Sequence, residues 1–86
     1  MDIKRLRKKI DSIDDKILQL LNERIDVAKE IGKMKSAGKK DIYVPRREKN
    51  ILKRLQENNK GGLPDKDLMD IFQNILKVSR SMQKDP

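Results

Sequence analysis

The stretch LLNERIDVAKEIGKMK, residues 20–35, decides the fold because its apolar residues recur in steps of three and four. The rhythm also runs upstream, and its apolar positions are 3, 6, 10, 13, 17, 20, 27, 31 and 34. Such spacing is typical of one face of a long helix. We therefore predict a helix over residues 2–37, with Gly38 as its stop and an internal Gly32 that costs about 1 kcal/mol relative to alanine. Arg24 stands at the one position where the rhythm calls for an apolar residue.

The composition limits the protein to one small, mostly helical domain spanning residues 1–86. Of its 86 residues, 42% are charged and 35% are apolar, and only two are aromatic. There is no cysteine or histidine, which excludes disulfides, thiol nucleophiles, imidazole bases and the usual zinc sites. We expect no metal or other cofactor. The net charge of +8 favours an anionic partner, which could be nucleic acid, an acidic surface or a small polyanion.

No apolar run reaches the roughly 18 residues that a membrane span needs. The basic start, MDIKRLRKK, lacks the apolar segment of a signal peptide. We therefore expect a cytoplasmic protein without membrane contact.

The first helix is too long for a single small domain. At about 1.5 Å per residue it is roughly 50 Å long, whereas a compact chain of this size has a radius of gyration of only about 12 Å. One end must overhang, and its apolar face would then meet water. We therefore expect a second copy of the chain to cover it, giving an all-α homodimer of intertwined protomers.

Two shorter helices follow, each preceded by turn residues. After the loop GKKDIYVP at 38–45, Pro45 suits the first turn of a helix over 46–58. The residues NNKGG form a turn, and Pro64 opens a helix over 64–84 whose early acids, Asp65 and Asp67, suit the helix dipole. The apolar face of this third helix is predicted to contain Leu68, Phe72, Ile75, Ser79 and Met82.

Each helix interrupts its apolar face once with a polar residue: Arg24, Glu48 and Ser79. One interpretation is a buried Arg24–Glu48 ion pair that sets the helix register. The other is a polar cavity shared by the three helices, because buried charges are costly unless they have partners. Further polar residues lie beside these positions: Lys35, Arg47 and Gln83. Such a lining suits a small dianion that also has a hydroxyl group.

The blocks LRKKIDSIDDKILQLLNERIDVAKEIGKMK, VPRREKNILKRL and FQNILKVSRSMQ, in this order, resemble the all-helical chorismate mutases. The resemblance covers nearly the whole chain, which is similar to the N-terminal mutase domain of bifunctional chorismate mutase/prephenate dehydratase proteins. It implies an intertwined helical dimer that rearranges chorismate to prephenate. This family often forms one domain of a longer enzyme of aromatic amino-acid synthesis.

The resemblance also implies roles for eight residues of these blocks. Arg7, donated by the partner chain, and Arg24 would face the substrate carboxylates, with Arg47 in support. Lys35 and Gln83 would approach the ether oxygen of the breaking bond. Three further contacts are implied: Glu48 with the ring hydroxyl, Ser79 through a hydrogen bond, and Val44 through its backbone N–H, where some members carry aspartate.

Other functions fit parts of the sequence. An isochorismate pyruvate-lyase shares this fold, but Glu48 favours the mutase. A basic helical dimer that binds nucleic acid would explain the net charge, yet acidic residues are interleaved through the helices and two aromatic residues offer little base stacking. A plain dimerisation module would leave the polar interruptions unexplained.

Overall fold

The computed structural model describes residues 2–38 and 44–84 and contains three α-helices in this part of the chain. They are α1 (Ile3–Gly38), α2 (Pro45–Asn58) and α3 (Asp65–Lys84). The all-α prediction of one long and two shorter helices is confirmed, and each predicted helix end lies within one residue of the observed end. Most of the predicted loop at 38–45, namely residues 39–43, lies outside the described residues.

Proline residues mark the beginnings of the two shorter helices. Pro45 occupies the first turn of α2, where a missing backbone N–H is tolerated, and the N–H of Glu48 donates to the carbonyl oxygen of Val44 at 3.2 Å. At α3, the N–H of Leu68 donates to the carbonyl oxygen of Pro64 at 2.9 Å. The local sequence thus determines where both helices begin.

Helix α3 holds the protomer together because it packs against both other helices, whereas no Cα atom of α1 comes within 8 Å of a Cα atom of α2 in the described residues. The molecule measures 55 × 24 × 15 Å, with a radius of gyration of 15.9 Å, larger than that of a compact chain of this length. Helix α1 extends beyond the other two, and residues 2–20 are all exposed. The predicted overhang is therefore present.

The face of α1 that is buried in the protomer differs from the apolar face predicted by the steps of three and four residues. Ala28 and Gly32 are buried and Leu21 and Ile25 are half-buried, so this face carries smaller side chains towards the C-terminal end of α1. The predicted apolar face remains exposed even where α3 packs on α1; Met34, for example, is 75% exposed. The rhythm identified an apolar face correctly, but that face is not the one in contact with α3.

The buried apolar core is small. Among the described residues it consists of Ala28, Ile51, Leu68 and Leu76. Leu76 was not on the predicted face of α3, although it is only 4% exposed. Ser79 is the buried polar residue of this helix, at 7% exposure.

Within residues 2–38 and 44–84, no helix is long and apolar enough to cross a bilayer.

Candidate active site

A cavity of about 430 Å³ separates α1 from α2, with α3 along one side. This volume is typical of small-molecule sites. Seven of the eight predicted site residues line the cavity: Arg24, Lys35, Val44, Arg47, Glu48, Ser79 and Gln83. Their functional roles remain predictions, but the fold brings them to one place from segments far apart in the chain.

Arg24 projects from α1 towards α3, where its Nη1 donates a hydrogen bond to the hydroxyl oxygen of Ser79. Burial lowers the pKa of the Arg24 guanidinium, the positive charge of Arg47 lowers it further, and the carboxylate of Glu48 opposes both effects. Arginine stays protonated at neutral pH despite such shifts. The cavity therefore contains a half-buried cation whose charge an anionic ligand would stabilise.

Glu48 is paired with Arg80, a residue to which the sequence reasoning assigned no role. Nη1 of Arg80 lies 2.6 Å from both carboxylate oxygens of Glu48, and the side chains are 35% and 20% exposed, respectively. The predicted alternative of an Arg24–Glu48 ion pair is therefore wrong, because the ion-pair partner of Glu48 in the described structure is Arg80 and Arg24 instead contacts Ser79. Arg80 follows Ser79 in the block FQNILKVSRSMQ, and its place beside a predicted site residue is the signal in the sequence that could have identified it.

Lys35 and Gln83 meet at the end of the cavity where α1 and α3 come together. Nζ of Lys35 lies 3.5 Å from Oε1 of Gln83, which is long for a hydrogen bond. In this orientation the amide oxygen faces the ammonium group, so the amide nitrogen is left as a donor. Two N–H donor groups thus lie side by side on neighbouring helices.

The remaining predicted residues occupy different places. Val44 and Arg47, at the beginning of α2, line the same cavity as Lys35 and Gln83. Arg7 does not line the cavity of its own chain; it lies in the overhanging half of α1. Since Arg7 precedes Arg24 by 17 helical positions, the two are separated by roughly 25 Å along α1.

The charged groups make the cavity strongly positive. Four cationic side chains and one carboxylate line it, which gives a net charge of +3: Arg24, Lys35, Arg47, Arg80 and Glu48. Within the described part of the chain, no group of three or more acidic residues could hold a metal ion. The lining is suited to bind a small organic dianion and to donate hydrogen bonds to its oxygen atoms.

The three helices and the charged lining together define an all-α protein with a cationic cavity that suits a small anionic ligand. The sequence profile of the family "Chorismate mutase type II" matches residues 6–84, and the chain belongs to this family.

Individual relatives agree with that assignment. The chain is 41% identical to the bifunctional chorismate mutase/prephenate dehydratase of Aquifex aeolicus over 87 residues, an alignment that covers 96% of this chain and 24% of the relative. Among solved structures, the chorismate mutase of Thermus thermophilus superposes with a TM-score of 0.94 at 34% identity, covering 96% of this chain and 94% of the other. The chorismate mutase of Helicobacter pylori in complex with prephenate superposes with a TM-score of 0.88 at 33% identity, covering 95% and 89%. The chain thus spans about a quarter of the Aquifex enzyme but nearly all of the two solved chains.

Proposed function

We propose that this chain is a chorismate mutase, which rearranges chorismate to prephenate. Membership of the family supports this activity, as does the relative solved with prephenate. The observation that carries the proposal is the cavity, where cationic groups on three helices surround one carboxylate. Chorismate offers two carboxylates, a ring hydroxyl and an ether oxygen, and the cavity has complementary groups for each.

The reaction is a concerted isomerisation in which the ether C–O bond breaks while a C–C bond forms. It needs no proton transfer and no covalent intermediate, so a chain without histidine or cysteine can catalyse it. The side chains have two tasks: to hold the enolpyruvyl arm over the ring in a reactive conformation, and to stabilise the charge that develops on the ether oxygen.

Arg24 binds a substrate carboxylate, for which the planar guanidinium group is well suited. The hydrogen bond from Arg24 to the buried hydroxyl of Ser79 orients the guanidinium before substrate arrives. Arg47 adds a second positive charge to the cavity, close enough to lower the pKa of Arg24.

Lys35 and Gln83 donate hydrogen bonds to the ether oxygen. Nζ of Lys35 lies 3.5 Å from the amide oxygen of Gln83, so the ammonium and amide groups are close enough together for both to approach one oxygen atom of a bound substrate. Donors of this kind contribute more in the transition state than in the ground state, and losing one typically costs about 2.7–4 kcal/mol of barrier stabilisation.

Glu48 accepts a hydrogen bond from the ring hydroxyl. Nη1 of Arg80 lies equally far from both carboxylate oxygens, so it engages the inner lone pairs and leaves the outer ones for the substrate. Arg80 thereby fixes the orientation of this carboxylate. The backbone N–H of Val44 is the further contact to the hydroxyl that the family resemblance implies.

The site is completed by Arg7 of a second chain in a homodimer. Arg7 is separated from the cavity of its own chain by several times the length of an arginine side chain, so it can act only across an interface. The overhanging half of α1 provides an apolar surface for that interface, with side chains from 40% to 63% exposed. Its large apolar residues are Ile3, Leu6, Ile10, Ile13, Ile17, Leu18 and Leu20.

The activity is tested by incubating purified protein with chorismate and identifying the product by NMR. We expect conversion to prephenate, lost in Arg24→Ala and retained in the matched control Arg54→Ala, because Arg54 is an exposed arginine outside the cavity. No conversion by a folded wild-type protein would refute the proposal. Pyruvate release from isochorismate would identify the lyase alternative, and salt-sensitive retention on immobilised DNA would favour a nucleic-acid partner.

The dimeric site is tested by mixing two inactive variants, Arg7→Ala and Arg24→Ala. In each mixed dimer, one site combines an intact Arg24 with an intact Arg7 from the other chain. Random exchange of subunits should therefore restore about one quarter of the wild-type activity. If Arg7 acted within its own chain, every site would lack one arginine and no activity would return.

We further propose that the enzyme works in aromatic amino-acid synthesis in the cytoplasm. The family's presence in bifunctional mutase/dehydratase proteins such as the Aquifex relative supports the pathway.

A further inference from the structure

Gly32 marks a close approach of α1 and α3. It is buried in the C-terminal half of α1, where glycine is an unfavourable residue because it has the most conformational freedom to lose. A Cβ atom added at Gly32 would lie 2.7 Å from Cα of Gln83 and 2.8 Å from its carbonyl carbon, and closer still to the carbonyl oxygen. Distances below 3.0 Å essentially never occur for real Cβ atoms. Only glycine therefore permits the two helix backbones to come this close.

The backbone that Gly32 contacts belongs to Gln83, whose side chain faces Lys35 at 3.5 Å. Lys35 lies three residues after Gly32, which places it one helical turn further along the same side of α1. The contact between the two backbones is therefore next to the contact between the two side chains. A change in the Gly32–Gln83 separation therefore moves the backbone that carries the amide relative to the backbone that carries the ammonium group.

We infer that Gly32 is a positioning residue, which sets the distance between the hydrogen-bond donors Lys35 and Gln83 by keeping α1 and α3 in backbone contact. This inference rests on the proposed function. Ordinary van der Waals contact begins at 3.4 Å, so a methyl group at position 32 must move the backbone of Gln83 away by at least about 0.7 Å, the shift that its Cα requires. The clash is with backbone atoms and cannot be relieved by rotating a side chain.

A displacement of this size is sufficient to reduce catalysis. Misplacing a group by about 1 Å can cost about 100-fold in rate. We therefore expect Gly32→Ala to lower kcat by about 10- to 100-fold. KM should change little, because the two donors act on the ether oxygen as the bond breaks, whereas the arginine residues that bind the carboxylates remain in place.

The test compares kcat and KM of wild type, Gly32→Ala and the control Gly62→Ala. A Cβ at Gly62 would meet nothing within 4 Å, so this variant should behave as wild type. The Gln83→Ala background provides a second test. There the amide is already absent, and Gly32→Ala should lower kcat by less than about 3-fold, since residues that act as a unit are not additive.

Each outcome is decisive. Wild-type turnover by Gly32→Ala would refute the inference and leave the proposed function intact. An undiminished effect of Gly32→Ala in the Gln83→Ala background would also refute it, because Gly32 would then act by another route. Failure of Gly32→Ala to fold, seen as lost helical circular dichroism, would show that the close contact serves the fold rather than the site. No turnover by the wild-type protein would refute both the proposed function and this inference.

Discussion

Replacing Arg24 by leucine separates a role in substrate binding from a role in helix packing. Arg24 is half-buried, and burial together with the charge of Arg47 lowers its pKa, so the folded protein without substrate disfavours its positive charge. Leucine has no charge and suits the apolar surroundings of Val27 and Ala28 on the same helix. The hydroxyl of Ser79 loses its partner but can donate to the carbonyl one turn earlier in α3. We therefore expect the fold to tolerate this change.

The expected loss of activity follows from the electrostatics of the cavity. Two opposite charges about 4 Å apart interact by about 4 kcal/mol at an effective dielectric constant of about 20. Water replaces part of this interaction in the variant, so we expect Arg24→Leu to lower the stabilisation of the transition state by about 2–4 kcal/mol. This corresponds to a decrease of about 30- to 1,000-fold in kcat/KM. The free energy of unfolding should stay unchanged or rise by up to about 1 kcal/mol, because replacing buried charge by apolar residues is often neutral or stabilising.

The assay follows chorismate consumption for the rate and thermal unfolding for the stability. Both are measured at one fixed protein concentration, since the midpoint of a dimer depends on concentration. Arg54→Leu is the matched control, because it removes an exposed arginine of α2 outside the cavity. Wild-type kcat/KM in Arg24→Leu would refute a role in binding. A loss of more than about 2 kcal/mol of stability would instead identify Arg24 as a structural residue.

Three further changes test the core, the carboxylate and the interface. Leu76→Ala should lower the free energy of unfolding in urea by about 2–4 kcal/mol, because this leucine is 4% exposed; a loss below about 1 kcal/mol would contradict its place in the core. Glu48→Gln keeps the shape of the side chain but removes the negative charge, so kcat/KM for chorismate should fall at least about 10-fold. The free energy of unfolding should change by no more than about 1 kcal/mol, since the ion pair with Arg80 is partly exposed. Unchanged kinetics would exclude Glu48 from the site. Ile10→Asp places a charge on the exposed apolar face of α1 and should yield monomers in sedimentation analysis. The control variant Lys9→Asp changes the polar side of the same helix and should remain dimeric. Dimers of Ile10→Asp would place the interface elsewhere.

Much of the fold could be predicted because its determinants are local. Steps of three and four residues depend only on the geometry of a single helix, so α1 was identifiable along its whole length. Pro45 and Pro64 restrict the backbone at their own positions, and both stand at the start of a helix. The interruptions at Arg24, Glu48 and Ser79 were visible for the same reason, since each breaks a local pattern.

The contacts between residues of different helices could not be predicted from local sequence patterns. Periodicity did not indicate that Arg80 would pair with Glu48, 32 positions earlier, because that pairing depends on how α2 and α3 cross. It also did not indicate which face of α1 contacts α3. From the sequence, Gly32 was recognised only as a residue that lowers the stability of the helix, whereas in the structure it permits the close approach of α1 to the backbone of Gln83.

The amino-acid sequence by itself determined the three helices, the excess length of α1 and the set of polar residues that interrupt apolar faces. Each of these follows from interactions within a few residues along the chain. Only the tertiary structure decided which polar residues meet, namely Arg24 with Ser79, Glu48 with Arg80, and Lys35 with Gln83. The physical reason is that these pairs are separated by 32 to 55 residues, so their distances depend on how closely and at what angle the helices pack.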